Sequence, residues 1–285
     1  MERVDPVSVA APHAVTTSRS EVVAFLIMVA FLVVAPFFVY PMFLMQALCF
    51  ALFACAFNLL IGYGGLLSFG HALYFGWASY LSAHSAKVWG FPPELAILTG
   101  TLTACILGVV AGSLAIRRQG IYFAMITLAL AQMMFFFALQ MKFTGGEDGI
   151  QAVPRGKILG LIDLSNQANM YITVVVIFLA GFLLIYRIIH SPFGEVLKAI
   201  RENEARAISL GYKTDRYKLL AFVLSATLAG LAGSTKAIVL QIASLTDHVD
   251  LDGHLLIDDG PFTGLGFVDG VVRVSDEAGL GVRAA

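Results

Sequence analysis

The chain has 285 residues, of which 59% are apolar and only 13% are charged, and its formal net charge is −1. Soluble domains contain about 45–50% apolar and about 25% charged residues, so a water-soluble protein of this composition would have too little polar surface. The near-neutral charge does not favour a nucleic-acid partner. The three cysteines lie inside apolar runs, at spacings typical of neither a metal site nor a disulfide framework. These properties indicate an integral membrane protein.

The first 20 residues are polar and lack the features of a signal peptide, so the apolar run that follows is predicted to be retained as a membrane helix. A helix needs roughly 20 apolar residues to cross a bilayer core of about 30 Å. Seven windows satisfy this requirement, at about 21–40, 42–62, 66–86, 94–116, 120–141, 169–189 and 218–245. The sequence therefore predicts an all-α integral membrane protein. Its domains would be a cytoplasmic segment, residues 1–20, and a polytopic helical bundle of about seven spans, residues 21–246.

Lysine and arginine residues are concentrated in the loops of one side of this bundle. Short cytoplasmic loops of membrane proteins carry an excess of these residues, so their count predicts the orientation. Eleven lie on one side and four on the other. The eleven are Arg3, Arg19, Arg117, Arg118, Arg187, Lys198, Arg201, Arg206, Lys213, Arg216 and Lys218; the four are Lys87, Lys142, Arg155 and Lys157. We therefore expect the N-terminus and residues 187–218 in the cytoplasm.

Residues 190–217 form a polar segment between the last two windows, HSPFGEVLKAIRENEARAISLGYKTDRY. Ser191 before Pro192 is typical of a helix start, Asn203 is suited to cap a second short helix, and Gly211 supplies a left-handed residue to end it. Apolar residues at helical spacing form one stripe of the first helix: Phe193, Val196, Leu197 and Ile200. The segment fits either an interfacial helix on anionic lipid or an apolar ridge that enters a groove of a cytoplasmic protein. The residues alone leave both readings open.

A glycine-rich stretch, GYGGLLSFGHALYFGWASY at residues 62–80, interrupts the apolar windows. Discontinuous membrane helices with such joints present backbone N–H and C=O groups to polar solutes at mid-depth. The stretch is therefore predicted to line a translocation pathway through Gly62, Gly64, Gly65, Ser68, Gly70 and His71. Thr127 and Gln132 of the fifth window are further candidates. The alternative is that the small residues only pack helices together and that His71 bonds a carbonyl.

Reactive side chains in catalytic or metal-binding patterns are not found in the sequence, so we expect no ATPase site and no cofactor in this chain. Lys236 lies inside the last window, where a lysine is costly if it faces lipid. We expect it to face the interior of the bundle or to extend towards the membrane surface.

Four motifs together resemble a known family. GYGGLLSFGHALYFGWASY, RRQGIYFAMITLALAQ, FTGGEDGI and the segment from SPFGEVLKAIRENEARAISLGYKTDRYK to LAGLAGS are similar, over roughly residues 20–246, to the LivM-like permease subunits of branched-chain amino acid ABC importers. The resemblance implies that residues 190–217 are a coupling loop that docks into an ATPase subunit. The coupling residues it implies are Arg201, Glu202, Glu204, Arg206, Ala207 and Gly211. The broader importer pattern Glu-Ala-Ala-x-x-x-Gly is not fully kept, since its first two residues fall on Ala205 and Arg206.

The resemblance further implies a permease that passes branched-chain amino acids across the inner membrane by alternating access. Its partners would be membrane lipid, a second permease subunit in a heterodimer, cytoplasmic ATPase subunits that bind the ATP, and an extracytoplasmic solute-binding protein. The polar loop 142–168 is a candidate contact for the binding protein, through Thr144, Gly145 and Gly146. Alternatives are a permease for amides, urea or sugars, and an ATPase-independent channel or scaffold.

The character of the sequence changes after Thr246, where acidic residues leave no window long enough to span a membrane. Members of the resembled family continue at this point into further membrane helices. We therefore expect the chain to be truncated relative to the family, with residues 247–285 a disordered or frameshifted tail. The alternative is a genuine acidic extension, and restoring one or two nucleotides near codon 247 should separate the two by revealing an apolar continuation.

Overall fold

The computed structural model describes residues 19–118, 120–145, 149–150, 153–154, 156–158, 160 and 162–243, together with short strands near the C-terminus. The chain divides into two compact units, residues 1–245 and residues 246–285. The predicted cytoplasmic segment 1–20 lies almost wholly outside the described residues.

The described part of the first unit folds into nine α-helices with short irregular turns. These helices are α1 (Arg19–Val34), α2 (Pro41–Asn58), α3 (His71–Lys87), α4 (Pro93–Ala115), α5 (Ile121–Gln140), α6 (Gln167–Ile189), α7 (Pro192–Glu202), α8 (Glu204–Ser209) and α9 (Thr214–Ala243). Turns of 3-10 helix cover Ala35–Phe37 and Lys142–Thr144, and one π-helical turn, Leu59–Tyr63, extends α2. Two short strands, β1 (Lys157–Ile158) and β2 (Ile162–Asp163), pair antiparallel between α5 and α6.

Six of the described helical segments are long and apolar enough to cross a membrane. They are Ser20–Phe37, Pro41–Tyr63, Pro93–Ala115, Ile121–Gln140, Gln167–Ile189 and Thr214–Val239. The predicted all-α, multi-pass fold is thereby confirmed. The third window, 66–86, contains only the 17-residue helix α3, because residues 65–70 are not helical and the helix begins at His71.

Helix ends follow local chemistry. Proline occupies the first residue of α2, α4 and α7, where no N–H is needed. The predicted cap at Asn203 is confirmed, since its side-chain oxygen accepts from the Arg206 N–H at 3.0 Å. Ser191 occupies the N-cap position of α7, as predicted, but its side chain makes no capping hydrogen bond with the helix. Its hydroxyl donates to the Ile188 carbonyl at 2.6 Å, because the chain turns back towards α6 at this point.

The helix α9 passes through the centre of the bundle, packed between α2, α3 and α4. Small residues permit this close approach. A Cβ atom at Gly230 would overlap Ala104 of α4, and one at Gly233 would overlap the backbone of Phe75 in α3. By contrast, α5 buries only one side and exposes large side chains on the other. These exposed residues include Ile121, Tyr122, Met125, Leu128, Met133, Phe135 and Phe136.

The described part of the second unit consists of strands. β3 (Phe262–Thr263) pairs antiparallel with β6 (Arg283–Ala284), and β4 (Leu265–Val268) pairs antiparallel with β5 (Val271–Val274). Residues 247–285 are predicted to be disordered or frameshifted, and most of them lie outside the described residues.

Candidate functional site

The 190–217 segment forms two short helices, as predicted, but its apolar stripe points into the chain's own bundle. Leu197 and Ile200 of α7 are buried, and the Phe193 ring stacks on Tyr217 of α9 with ring centroids 5.8 Å apart. The interpretation of this stripe as a ridge that enters a partner's groove is therefore wrong. Helical spacing identifies an apolar face, but it does not say which surface covers that face.

The exposed apolar residues of this segment lie instead at the end of α8. Ala207 is buried, whereas Ile208 and Leu210 are 56% and 69% exposed and Tyr212 is also exposed. Gly211 ends α8 with φ +89°, and its N–H donates to the Ile208 carbonyl at 2.9 Å. We name the residues Ile208, Leu210 and Tyr212 the α8 knob. The apolar pattern of the sequence does not separate these residues from the buried Ala207.

The remaining residues predicted to contact a partner fall into two groups. Glu202 and Arg206 have exposed side chains beside the α8 knob. Glu204 instead accepts a hydrogen bond from the Lys218 ammonium at 2.5 Å, and Lys218 is only 5% exposed. This partly buried ion pair fastens α8 to the start of α9.

Arg201 links the 190–217 segment to the glycine-rich stretch. Its guanidinium donates to the carbonyl of Gly62 in the π-helical turn that ends α2. A Cβ atom on Gly65, which has φ +66°, would lie 2.7 Å from the Arg201 Cγ. The Lys198 ammonium also lies 5.8 Å from the centre of the Tyr63 ring. Two motifs that are about 140 residues apart in the sequence are therefore in direct contact.

The glycine-rich stretch breaks the helical path, since an extended segment connects the π-helical turn to α3. Burial alternates along this segment, as expected for extended backbone. Leu66, Ser68 and Gly70 point inwards, and Leu67 and Phe69 point outwards. The Phe69 N–H donates to the Thr127 hydroxyl of α5 at 3.2 Å. A Cβ atom on Gly70 would overlap the Thr127 carbonyl oxygen, so these two predicted residues are brought together.

His71 lies buried in a hydrogen-bonded network that connects α2, α3 and α9. The Ser225 hydroxyl donates to the Ala56 carbonyl at 2.5 Å, so it accepts from His71 Nε2, which lies 2.8 Å away. A neutral ring then accepts at Nδ1 from the Ser68 hydroxyl, at 3.1 Å. The Ser68 oxygen also accepts from the Gly70 N–H at 3.3 Å. Each polar group of the network therefore has a partner within the chain.

The other predicted residues lie apart from this network. Gln132 is exposed on the outer side of α5. Thr144 is fully buried, and its hydroxyl bonds the carbonyls of Ala138 and Met141 at the end of α5. Gly145 follows with φ +82°, and Gly146 lies outside the described residues. A contact between these residues and a binding protein stays a prediction, with the Thr144 side chain directed inwards.

Lys236 of α9 is partly buried within a membrane-spanning segment. Its ammonium lies 4.4 Å from the centre of the Phe50 ring and 5.3 Å from that of the Phe75 ring. A lysine at the lipid-exposed centre of a membrane helix costs roughly 2.5–3.5 kcal/mol. One cation–π contact returns about 0.5–1 kcal/mol at an exposed site and about 2 kcal/mol when it is desolvated. The two rings therefore offset a large part of this cost.

These features define a multi-pass helical membrane protein in which a polar surface segment is fastened to a break in a membrane helix. The family model for the permease component of branched-chain amino acid transport systems matches residues 39–253. The chain belongs to this family, which confirms the resemblance inferred from the motifs.

Two relatives are the high-affinity branched-chain amino acid transport system permease proteins LivM of Escherichia coli (strain K12) and Salmonella typhimurium (strain LT2). They are 28% identical to this chain over 157 and 156 residues respectively. Each match covers 47% of this chain and 37% of the relative, so the matched region spans little more than a third of the relatives' length. No solved structure matches the chain.

Proposed function

We propose that the chain is the membrane-spanning permease subunit of an ATP-driven importer that passes branched-chain amino acids across the inner membrane by alternating access. It would act with a second permease subunit, with cytoplasmic ATPase subunits that bind the ATP, and with an extracytoplasmic solute-binding protein. Family membership supports the transport role. The observation that carries the mechanism is the contact of Arg201 with Gly62, because it joins the 190–217 segment to the broken end of a membrane helix.

The α8 knob is the surface on which an ATPase subunit would dock. Apolar residues that are exposed beside charged ones are typical of the centre and rim of a protein interface. Glu202 and Arg206, which are exposed and close in sequence to Ile208 and Leu210, would supply such a rim. This arrangement favours a protein partner, because a helix lying on anionic lipid would direct its apolar stripe outwards and α7 directs that stripe inwards.

Movement of the docked segment would reach the membrane helices by two connections. Arg201 and Lys198 hold the π-helical turn at the end of α2. The Glu204–Lys218 ion pair holds the start of α9. Displacement of α7 and α8 by closure of the ATPase subunits would therefore tilt α2 and α9 together, as alternating access requires. The excess of lysine and arginine in the loops of one side supports a cytoplasmic position of the N-terminus and the 190–217 segment.

The pathway would run along the side of α2, α3 and α5 that the bundle leaves open. Gln132 lies on the open side of α5, and Ala54 and Asn58 are exposed on α2. In this arrangement Ser68, His71 and Thr127 hold the break in shape, and the backbone of the break, where Gly65 is exposed, is the part that a solute would meet.

The test is reconstitution of the chain in liposomes with the permease, ATPase and binding-protein subunits encoded beside it. We expect uptake of radiolabelled leucine that requires hydrolysable ATP and the binding protein. Uptake without ATP hydrolysis would overturn the proposal in favour of a channel. ATP-dependent uptake of an amide, urea or a sugar without leucine uptake would assign the chain to a permease for those solutes.

A further inference from the structure

The Lys236 ammonium is a positive charge within the membrane-spanning bundle that the arrangement described so far does not use. It lies over the rings of Phe50 and Phe75, which are stacked with centroids 5.7 Å apart. The ion pairs found among the described residues, Lys198 with Glu195 and Lys218 with Glu204, do not involve it. Ionisable residues inside membrane segments commonly mark the path of a solute or an ion.

The space beside the two rings is open. Phe50 is 48% exposed and lies on the exposed stripe of α2 between Ala47 and Ala54. On α3, a Cβ atom added at Gly76 would meet no atom of another described element within 4 Å, and Ala72 is exposed. These small residues leave room for a molecule of modest size next to the ammonium.

Lys236 lies three residues before the end of the span Thr214–Val239, but the direction of its side chain argues against a lipid headgroup as its ligand. Phe50 lies near the middle of the span Pro41–Tyr63. A lysine that serves a lipid phosphate extends its stem to the membrane surface. The Lys236 stem instead brings the ammonium over a ring near mid-span, where a solute that crosses the membrane would pass.

We propose that Lys236, Phe50 and Phe75 form a transit site for the carboxylate of the transported solute. The ammonium would pair with the carboxylate, and the phenyl rings would contact a branched alkyl side chain. One charged contact on an open face provides selectivity without the tight binding that would retain the solute. The inference rests on the proposed function for the identity of the solute, and the carboxylate chemistry follows from the charge.

The test measures binding apart from transport. The full chain is reconstituted in nanodiscs of zwitterionic lipid, and saturation-transfer NMR compares 4-methylpentanoate with the uncharged 4-methylpentanamide. We expect the acid to bind at least about tenfold more tightly than the amide, because a charge pair with little exposure to water can provide a difference of this size. Lys236→Met should abolish the difference and Lys236→Arg should keep it. Lys142→Met, a matched loss of an exposed lysine, should leave it unchanged.

Lys236→Met replaces a charged side chain by an apolar one of similar length, which a membrane helix accepts. The variant should therefore fold, and its thermal melting in detergent checks this. An acid preference that survives Lys236→Met in folded protein would overturn the inference. Loss of acid binding when the nanodiscs contain phosphatidylglycerol would also overturn it, because the ammonium would then serve a headgroup.

The two proposals fail separately. If acid binding depends on Lys236 but the chain does not support ATP-dependent uptake, the importer proposal is overturned and the carboxylate site is supported. If leucine uptake depends on ATP but the preference for the acid does not change when Lys236 is replaced, the importer proposal is supported and the carboxylate site is overturned.

Discussion

The glycine-rich stretch and the α8 knob place their unusual residues in opposite ways. Ser68 and His71 of the stretch and Thr127 of the adjacent α5 are polar residues inside an apolar bundle, and each forms a hydrogen bond within the chain. In the knob, Ile208 and Leu210 are apolar residues on the surface of a polar segment. Buried polar groups that are satisfied internally fix a local structure, whereas exposed apolar groups are suited to a partner. Ser68, His71 and Thr127 therefore hold the helix break, and Ile208 and Leu210 belong to the surface proposed to contact a cytoplasmic partner.

The largest loss of stability should follow from adding a side chain at Gly70, which packs directly against the backbone of Thr127. Gly70→Leu would place side-chain atoms on the Thr127 backbone, which has little freedom to move. Overpacking of this kind costs about 1–3 kcal/mol and often more against backbone. We expect little folded protein, measured by the yield and melting temperature in detergent. The matched control is Gly76→Leu, since its Cβ atom meets open space. Equal melting temperatures of the two variants would contradict the close packing at Gly70.

Charge placed on the α8 knob should abolish docking without affecting folding. Ile208→Asp combined with Leu210→Asp alters two side chains that are mostly exposed, so the melting temperature should stay within a few degrees. We expect co-purification of the ATPase subunit and ATP-dependent uptake to fall by at least about tenfold. The conservative pair Ile208→Leu and Leu210→Ile is the control. Normal co-purification of the aspartate variant would show that the ATPase docks elsewhere.

Removal of the Arg201 guanidinium should separate ATP hydrolysis from transport. Because Arg201 contacts Gly62 within the chain, we expect Arg201→Ala to keep the ATPase subunit bound and to lower the leucine transported per ATP by about two- to tenfold. Arg206→Ala removes an exposed side chain beside the knob and should weaken ATPase binding instead. A weakened association in Arg201→Ala with unchanged coupling would assign Arg201 to the partner contact that the sequence suggests.

The smallest effect is expected at the ion pair between α8 and α9. A double-mutant cycle with Glu204→Gln and Lys218→Met should give a coupling energy of about 0.5–1 kcal/mol. The pair is partly buried, so we expect the coupling to decrease only slightly when salt is raised. The same cycle on Glu195 and Lys198, an exposed pair at 2.9 Å, provides the comparison. A coupling energy of zero at Glu204 would remove the second connection to the membrane helices.

Much of the fold could be predicted from the sequence because it depends on local properties. The length of apolar windows predicts the spans, and the Asn203 cap and Gly211 predict the limits of α8. The late start of α3 was missed, because hydropathy does not register that residues 65–70 are extended. A Gly-Gly pair within an apolar window is the signal that could have shortened that window.

The candidate site was predicted less completely, because its geometry depends on packing between distant segments. The sequence places Arg201 and Gly62 in separate motifs, and only the fold brings them into contact. The stripe of α7 leaves a lipid surface and a protein partner both open in the sequence, because an amphipathic pattern looks the same whichever surface covers it. The position of Lys236 over two phenyl rings likewise requires knowledge of which faces of α2, α3 and α9 meet.

The length of α9 has a mechanical consequence. This single 30-residue helix carries Lys218 near one end and Lys236 near the other, about 27 Å apart at a rise of about 1.5 Å per residue. α9 approaches α4 closely where Gly230 faces Ala104. If α9 rotates as a rigid body about this contact, residues far from Gly230 move further than residues close to it. Rotation by about 5° about this contact would move Lys218, about 18 Å away, by about 1.6 Å and Lys236, about 9 Å away, by about 0.8 Å. The longer arm therefore lies on the side of the Glu204–Lys218 ion pair, and a displacement there would reach the proposed carboxylate site at about half its size.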